Sequence, residues 1–328
     1  MKTFVKILKI VVPIGVGVYL TWYFFSGMTD AELKQTQNAF SQADYVWIAL
    51  SLLAAFLSHL SRAYRWLFLL EPMGYRPSLK NAYHAVMSGY VINYTVPRSG
   101  EFARAGLLTT YEKVPFEKGF GTIVVERVID VIMLAIVVFI SGLLQVNADE
   151  VNAITTQDEN GWGSHMVIWC ILGGIFLLGI TGLVLYLKNQ RIRNFVNEKL
   201  RGFWEGLRSV WTMKKKWAFM GHTVFIWVCY VGMIWISAMA FPETSSMPIG
   251  CIFAGFVAGA VSIAAVPGGM GLYPLWISQV LIIYNIDFKA FGIFIWVIQT
   301  GLIVVLGLLS LFLIQRQPKL ADRINAAS

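Results

Sequence analysis

Residues 81–111 read "NAYHAVMSGYVINYTVPRSGEFARAGLLTTY". The stretch is apolar but broken in its middle by Val-Pro-Arg-Ser-Gly. It offers a helix of about 15 residues, a break, and a helix of about 12, whereas a bilayer span needs ~20. Neither half crosses a membrane alone. Residues 248–284 repeat the pattern: "PIGCIFAGFVAGAVSIAAVPGGMGLYPLWISQVLIIY". In register, "GYVINYTVPRSGEF" lies over "GAVSIAAVPGGMGL", with Gly89 over Gly259 and Val96-Pro97 over Val266-Pro267. Further on, "PFEKGF" and "DFKAFG" each open the next long apolar run.

Around these two segments stand six apolar runs, at about 10–27, 45–70, 120–145, 165–187, 217–241 and 290–314. Each is long enough to cross a ~30 Å hydrocarbon core. The chain is 57% hydrophobic and only 13% charged, against roughly 25% charged in soluble domains. That composition reads as a polytopic membrane protein. The first run follows Lys2, Lys6 and Lys9 and has no A-x-A cleavage site, so it is read as a retained anchor.

Basic residues set the orientation. With the N-terminus in the cytoplasm, only Lys34 and Lys289 of the 26 Lys and Arg fall outside, and Arg127 lies within a span. The external loop "VNADEVNAITTQDENGWGS" carries acids and no Lys or Arg. Both ends are therefore expected in the cytoplasm, in a multi-pass protein of the inner membrane. The net charge of +8 is thus a topology signal, and nucleic acid is not an expected partner. The basic segment 188–216 has apolar residues at helical spacing and is read as an amphipathic helix on anionic lipid.

The spans turn the two broken segments into a topology. Segment 81–113 lies between two cytoplasmic ends, and segment 248–286 between two external ones. Both are expected to be re-entrant, dipping in from opposite faces. The fold class is then an all-α polytopic membrane protein, with six full transmembrane helices plus two re-entrant helical hairpins in an inverted-topology repeat. The chain is one transmembrane domain, with repeats at 45–145 and 217–314. Broken backbone at membrane depth needs protein or a watery cavity around it, so the two tips are expected to meet near a central cavity.

Charge inside the membrane marks the candidate site. Arg98 and Arg104 flank the first tip, where Pro97 stops one helix and Gly100 is expected to relax the turn. A new helix begins near Ser99. Two arginines, a serine hydroxyl and a helix N-terminus favour an anion, and the arginine fork suits phosphate. The competing reading is that Arg98 and Arg104 pair with Glu101 and Glu126, with Glu101 the partner of one of them in either case. In "VVERVIDVIML", Glu126 and Asp130 share a helix face and Arg127 can reach Asp130. They form either a structural ion-pair cluster or a gate beside the arginines. Arg62 and Arg65 are expected to snorkel to interfacial phosphates or to touch a lipid headgroup. The second tip, with Pro267, Gly268, Gly269, Gly271 and Tyr273, carries no charge. Its glycines are expected to offer close approach and free N–H groups.

Cys170, Cys229 and Cys251 lie in apolar runs, and the four histidines are scattered. No disulfide framework or metal site is indicated, and no cofactor is expected. "PGGMG" lacks the Lys-Ser/Thr of a phosphate-binding loop.

At "RAYRW" (62–66), "NYTVPRSGEFARAGLL" (93–108), "VVERVIDVIML" (124–134) and "VPGGMGLYP" (266–274), the chain resembles the lysylphosphatidylglycerol synthase transmembrane-region family of flippase-like membrane proteins. The resemblance implies motifs of the form N-x-x-P-x-R-x-G-E-x-x-R, E-R-x-x-D, and a P-G-G-x-G turn usually followed by a glutamate. The expected substrate site is Asn93, Arg98, Ser99, Glu101 and Arg104 with Arg62 and Arg65, and Glu126, Arg127 and Asp130 are the expected charge cluster or gate beside it. This chain lacks one residue between Pro97 and Gly100, and Tyr273 and Pro274 replace the acid. The fuller members carry a soluble aminoacyl-transferase domain, which is not expected here. The implied function is a lipid flippase, not an enzyme. Its substrate would bear phosphate, as an aminoacylated phosphatidylglycerol or a polyprenyl-linked sugar. The alternatives are a non-transporting subunit of a lipid-modifying complex and a membrane enzyme acting on a headgroup. Beyond membrane lipids, a second copy of the chain or a lipid-synthesis enzyme are the partners left open.

Overall fold

A computed structural model of the chain describes residues 2–97, 99–146, 189–190, 193–194, 197 and 210–317, with backbone only for 2–13 and 146. Arg98, the run at 165–187 and most of the segment 188–216 lie outside those residues. Among the described residues every regular element is a helix. They are α1 (Lys2–Ser26), α2 (Asp30–Gln42), α3 (Tyr45–Leu70), α4 (Leu79–Thr95), α5 (Gly100–Glu112), α6 (Phe116–Val146), α7 (Lys216–Ala238), α8 (Ile249–Ala265), α9 (Leu272–Ile283) and α10 (Ala290–Gln315).

The sequence explains where they start and stop. Thr29 and Glu32 close a reciprocal capping box on α2. The Asp44 and Ser78 side chains accept the first free N–H groups of α3 and α4, as short polar caps do. Proline ends α4 and α8 in the same way. It cannot continue the N–H ladder, and it pushes the residue before it into extended backbone. Val96 sits at φ −128°, ψ 105°, and Val266 at φ −125°, ψ 140°.

Three of the described helices are long and apolar enough to cross a membrane: α3 with its trailing turn, Tyr45–Met73, then α7 and α10. In α1, whose side chains are described from Ile14 onward, the described part Ile14–Ser26 is apolar. The 31-residue α6 carries Glu126, Arg127 and Asp130 in its body.

Loop contacts define two ends of the bundle. At one, the Asp44 N–H donates to the Ala240 carbonyl at 3.0 Å, and Lys289 pairs with Glu32. A cleft of about 410 Å³ opens there, lined by Lys34, Asn38, Gln42 and Glu243 among others. At the other end Lys215 pairs with Glu71 at 2.8 Å. Glu112 accepts from the Ser78 hydroxyl and the Asn81 amide, each at 2.6 Å. α3 and α7 are thus antiparallel neighbours.

The broken segments form two helical hairpins that open at opposite ends. α4 and α5 open at the Glu112 end. α8 and α9 open at the Lys289 end, where a Cβ on Gly250 would stand 2.8 Å from the Tyr284 hydroxyl. Gly100 is needed for close approach and not for the turn, since its φ is not positive. A Cβ there would overlap the Gly89 carbonyl oxygen, and one on Gly89 would stand 2.8 Å from the Gly100 oxygen. The second tip does bend through left-handed glycines, at φ 62°, 68° and 71° for Gly268, Gly269 and Gly271. Its N–H groups at Gly269 and Met270 are not free. They donate to Val266 and Pro267 at 2.8 and 3.4 Å. Tyr273 is buried in the apolar core, its ring filling the space beside Gly259.

The tips meet. The Tyr94 ring covers Gly268 so closely that a Cβ there would overlap it. The Trp296 indole of α10 donates to the Gly268 carbonyl at 2.7 Å. α10 then runs along α4, with Gly307 against Met87 and Val91, and Ser310 3.1 Å from His84 Nδ1. In lipid the apolar effect does not drive helices together, so small residues and polar contacts carry the packing. Ser51–Ser237 at 2.8 Å and Ser61–His222 at 2.8 Å do so between α3 and α7.

Candidate functional site

α3, α5 and α6 bring seven charged side chains together. Glu126 and Asp130 are one turn apart on α6, and Arg62 and Arg65 are one turn apart on α3. Stacked this way the two helices interleave their charges. Asp130 receives Arg62 Nη1 at 2.8 Å and Arg65 Nη2 at 3.0 Å. Glu126 lies 3.6 Å from Arg65 Nε and 2.7 Å from Arg104 Nη1 of α5. The result is a ladder of alternating sign: Arg62, Asp130, Arg65, Glu126, Arg104. A side branch runs from Asp130 to Arg127 at 3.5 Å and on to Glu101 at 3.2 Å.

The ladder is buried and the branch is not. Arg65 and Glu126 are 0% and 1% exposed, whereas Arg127 is 43% and Glu101 27% exposed. Neighbours complete the interior. The Arg104 guanidinium stacks 3.7 Å over the Trp66 ring. Arg62 donates to the Tyr230 hydroxyl at 3.0 Å and Arg65 to Thr223 at 3.1 Å. Four arginines face three carboxylates, so the network holds one positive charge in excess. Among the described residues, Nε and Nη2 of Arg104, Nε of Arg62, Arg65 and Arg127, and both carboxylate oxygens of Glu126 have no hydrogen-bond partner, although Glu126 lies in ion-pair range of Arg65 and Arg104. Buried, unpaired guanidinium N–H groups are costly unless an anion or water meets them.

Several expectations change in place. Arg62 and Arg65 do not snorkel; the acids of α6 hold them inside. Glu101 pairs with Arg127, not with Arg104. The carboxamide oxygen of Asn93 accepts the Gly100 N–H at 2.7 Å, so that first-turn donor of α5 is already taken. The Ser99 hydroxyl donates to the Val96 carbonyl at 2.6 Å and caps no N–H of α5. Arg98 lies outside the described residues. The glycine turn and Tyr273 stand at the second tip and its core, apart from the ladder. Trp66 belongs to the RAYRW stretch already noted in the sequence, whereas nothing in the local spacing of Tyr230 and Thr223 points at the charges. Gln299 and Thr300, by contrast, are legible as two polar residues inside an apolar run.

This arrangement, an arginine-rich buried ladder closed by E-R-x-x-D on one helix and R-x-x-R on another, lies inside a stretch that matches the family described as lysylphosphatidylglycerol synthase TM region, over residues 10–310. The chain belongs to that family. As a family member it is also similar to a UPF0104 membrane protein of Methanocaldococcus jannaschii, 32% identical over 127 residues. That match covers 38% of this chain and 33% of the relative, so it spans about a third of the relative's length. No solved structure matches.

Proposed function

We propose that this chain moves a phosphate-bearing lipid between leaflets, using the arginine ladder as its anion site. The single observation that carries the reading is the excess of one buried positive charge, with guanidinium N–H groups of Arg104 left unpartnered. A lipid phosphate supplies both the missing charge and the missing acceptors. In this reading α3–α6 and α7–α10 are two repeats of opposite sense. Their hairpins are re-entrant, and with the apolar runs of the sequence they belong to the six-span bundle of a transporter. Both chain ends then face the cytoplasm, in the inner membrane.

The half-exposed pair Arg127–Glu101 is the entrance to the ladder. Arriving phosphate competes with Glu101 for Arg127, then with Glu126 for Arg104. The closed ladder also favours a second reading, a purely structural network in a lipid-handling subunit. Purified protein in liposomes distinguishes them, with fluorescent phospholipids and dithionite quenching. The expected result is quenching of inner-leaflet lipid above the empty-liposome level, reduced at least about tenfold in Arg127→Ala, whose 43% exposed side chain can be removed with a melting temperature close to wild type. Unchanged quenching in that variant, or lost folding with no separate loss of movement, favours the structural reading.

A further inference from the structure

The cleft at the Lys289 end shares no residue with the ladder. Arg62 lies about 27 Å along α3 from Asp44, at about 1.5 Å per residue. One wall of the cleft is a single face of α2, where Lys34, Asn38 and Gln42 stand at i, i+4 and i+8 with Gln35 beside them. Glu243, in the loop between α7 and α8, stands on the other wall. Among the described residues, none of these five side chains makes a hydrogen bond or an ion pair. Lys34 and Glu243 face one cleft and do not pair with each other.

The frame around these free groups is fixed. The Thr29–Glu32 capping box sets the start of α2. The bond from the Asp44 N–H to the Ala240 carbonyl ties its far end to the opposite wall. In that wall the N–H groups of Thr244 and Ser245 both donate to the Phe241 carbonyl, at 3.2 and 2.9 Å. The floor is aromatic: Phe241 and Phe288 line it, with ring centroids 5.1 Å apart. Phe241 and Phe40 of α2 both pack on Phe294 of α10, at 5.0 and 4.9 Å. A preformed cleft spares a ligand the cost of ordering it. Its volume of about 410 Å³ suits a small molecule, for which sites run from about 300 to 1,000 Å³. The lining holds one cation and one carboxylate, so a strongly charged ligand gains little there. Each of the three carboxamides offers donors and an acceptor together, which is also what a hydroxyl offers.

We infer that this cleft is a separate binding site for an uncharged saccharide. Gln35, Asn38 and Gln42 take its hydroxyls along one side, Lys34 and Glu243 take hydroxyls from the two walls, and the phenylalanine floor meets the C–H face of a sugar ring. The positive-inside bias predicts that this end is external. The sugar then comes either free from outside the cell or as the headgroup of a glycolipid in the external leaflet. The inference does not depend on the ladder being a lipid site.

Full-length protein in phosphatidylcholine nanodiscs tests it by saturation-transfer NMR, which keeps sugar-based detergents out of the cleft. The probes are maltose, N-acetylglucosamine, glucuronate and glycine, each at about 5 mM, where millimolar affinity is visible. Maltose or N-acetylglucosamine is expected to give a signal at least about tenfold above glucuronate and glycine. Asn38→Ala combined with Gln42→Ala should cut that signal at least about tenfold. Both side chains are exposed, so the melting temperature should not move. Octyl maltoside doped into the nanodisc separates the sources. Displacement of the sugar by far less octyl maltoside than free maltose assigns a glycolipid headgroup, and equal displacement assigns a soluble saccharide; both support the site. Silence from both neutral sugars overturns the inference. So does an equal or stronger signal from glycine or glucuronate, or a sugar signal indifferent to the double variant. Lipid movement in liposomes is read separately, so failure of this site leaves the transport reading standing, and failure of transport leaves this site standing.

Discussion

Glu126 touches two arginines of different helices at 1% exposure, and that makes it the most exacting residue of the ladder. Removing one partner of a buried pair costs about 3–5 kcal/mol, because the remaining charge is left uncompensated. Glu126→Gln is therefore expected to lower the melting temperature sharply. Glu101→Gln, at a half-exposed pair, should cost under about 1 kcal/mol. Thermal unfolding of both variants in one detergent compares them, and equal small losses would mean that the ladder is not buried. The spacing of Glu126, Arg127 and Asp130 was legible in sequence, because positions three and four apart on a helix must be neighbours. Which arginines they meet was not. Arg62 and Arg65 lie more than 60 positions away in the chain, and local patterning carries no record of that contact. Snorkelling was the natural expectation for them, yet two interior carboxylates hold them more strongly than the interface.

Each hairpin tip depends on glycine for a different reason. At the first neck, α4 and α5 approach until Gly89 and Gly100 touch backbone to backbone. Gly100→Ala must push the helices apart, with a loss above about 2 kcal/mol expected from overpacking. At the second tip, Gly268 has both a left-handed backbone and the Tyr94 ring above it. Gly268→Ala therefore meets strain and a clash together, and Tyr94→Ala can relieve only the clash. A double-mutant cycle read by thermal unfolding should show partial rescue; complete rescue would mean that the backbone there is unstrained. The Val-Pro register that predicted both breaks was sound because proline acts locally. The errors concerned what the chain meets after it turns: Gly100 as a turn residue, and free N–H groups at the second tip. At the opposite end, the hydrogen bond from Lys289 holds the Glu32 carboxyl below its usual pKa, helped by the Thr29 N–H. Such a group stabilises the fold above the carboxylate's ordinary pKa near 4.5, and the contribution is lost as pH falls through the lower folded value. Lys289→Gln should weaken that acid-side dependence of melting temperature, leaving the part due to the Thr29 N–H, a small effect because the pair is near the surface.

The whole bundle sorts its links into two sets, one around Glu32 and Lys289, the other around Glu71, Glu112 and Lys215. The positive-inside bias predicts that the second set faces the cytoplasm. Single cysteines at Ser78 and Glu243, in a background lacking native cysteines, should label with an impermeant maleimide from the cytoplasmic and external sides respectively. The reverse pattern would invert the orientation. Composition made the helical membrane class readable at this scale, since it depends on sums over many residues. The run 165–187 and the amphipathic reading of 188–216 lie outside the described residues and add nothing to that comparison.

A polar route through a membrane is also a hazard, because protons and small cations follow any hydrated path down their gradient. The unbalanced arginine bears on that hazard. A fixed positive charge inside the bundle repels those ions, much as charge and dipole barriers exclude protons from water channels. The residue that attracts a lipid phosphate would then also keep the energised membrane tight. Replacing half-exposed Arg127 by Gln should raise the leak of a pH gradient across proteoliposomes, followed with an internal pH-sensitive dye. An unchanged leak would show that packing alone seals the path.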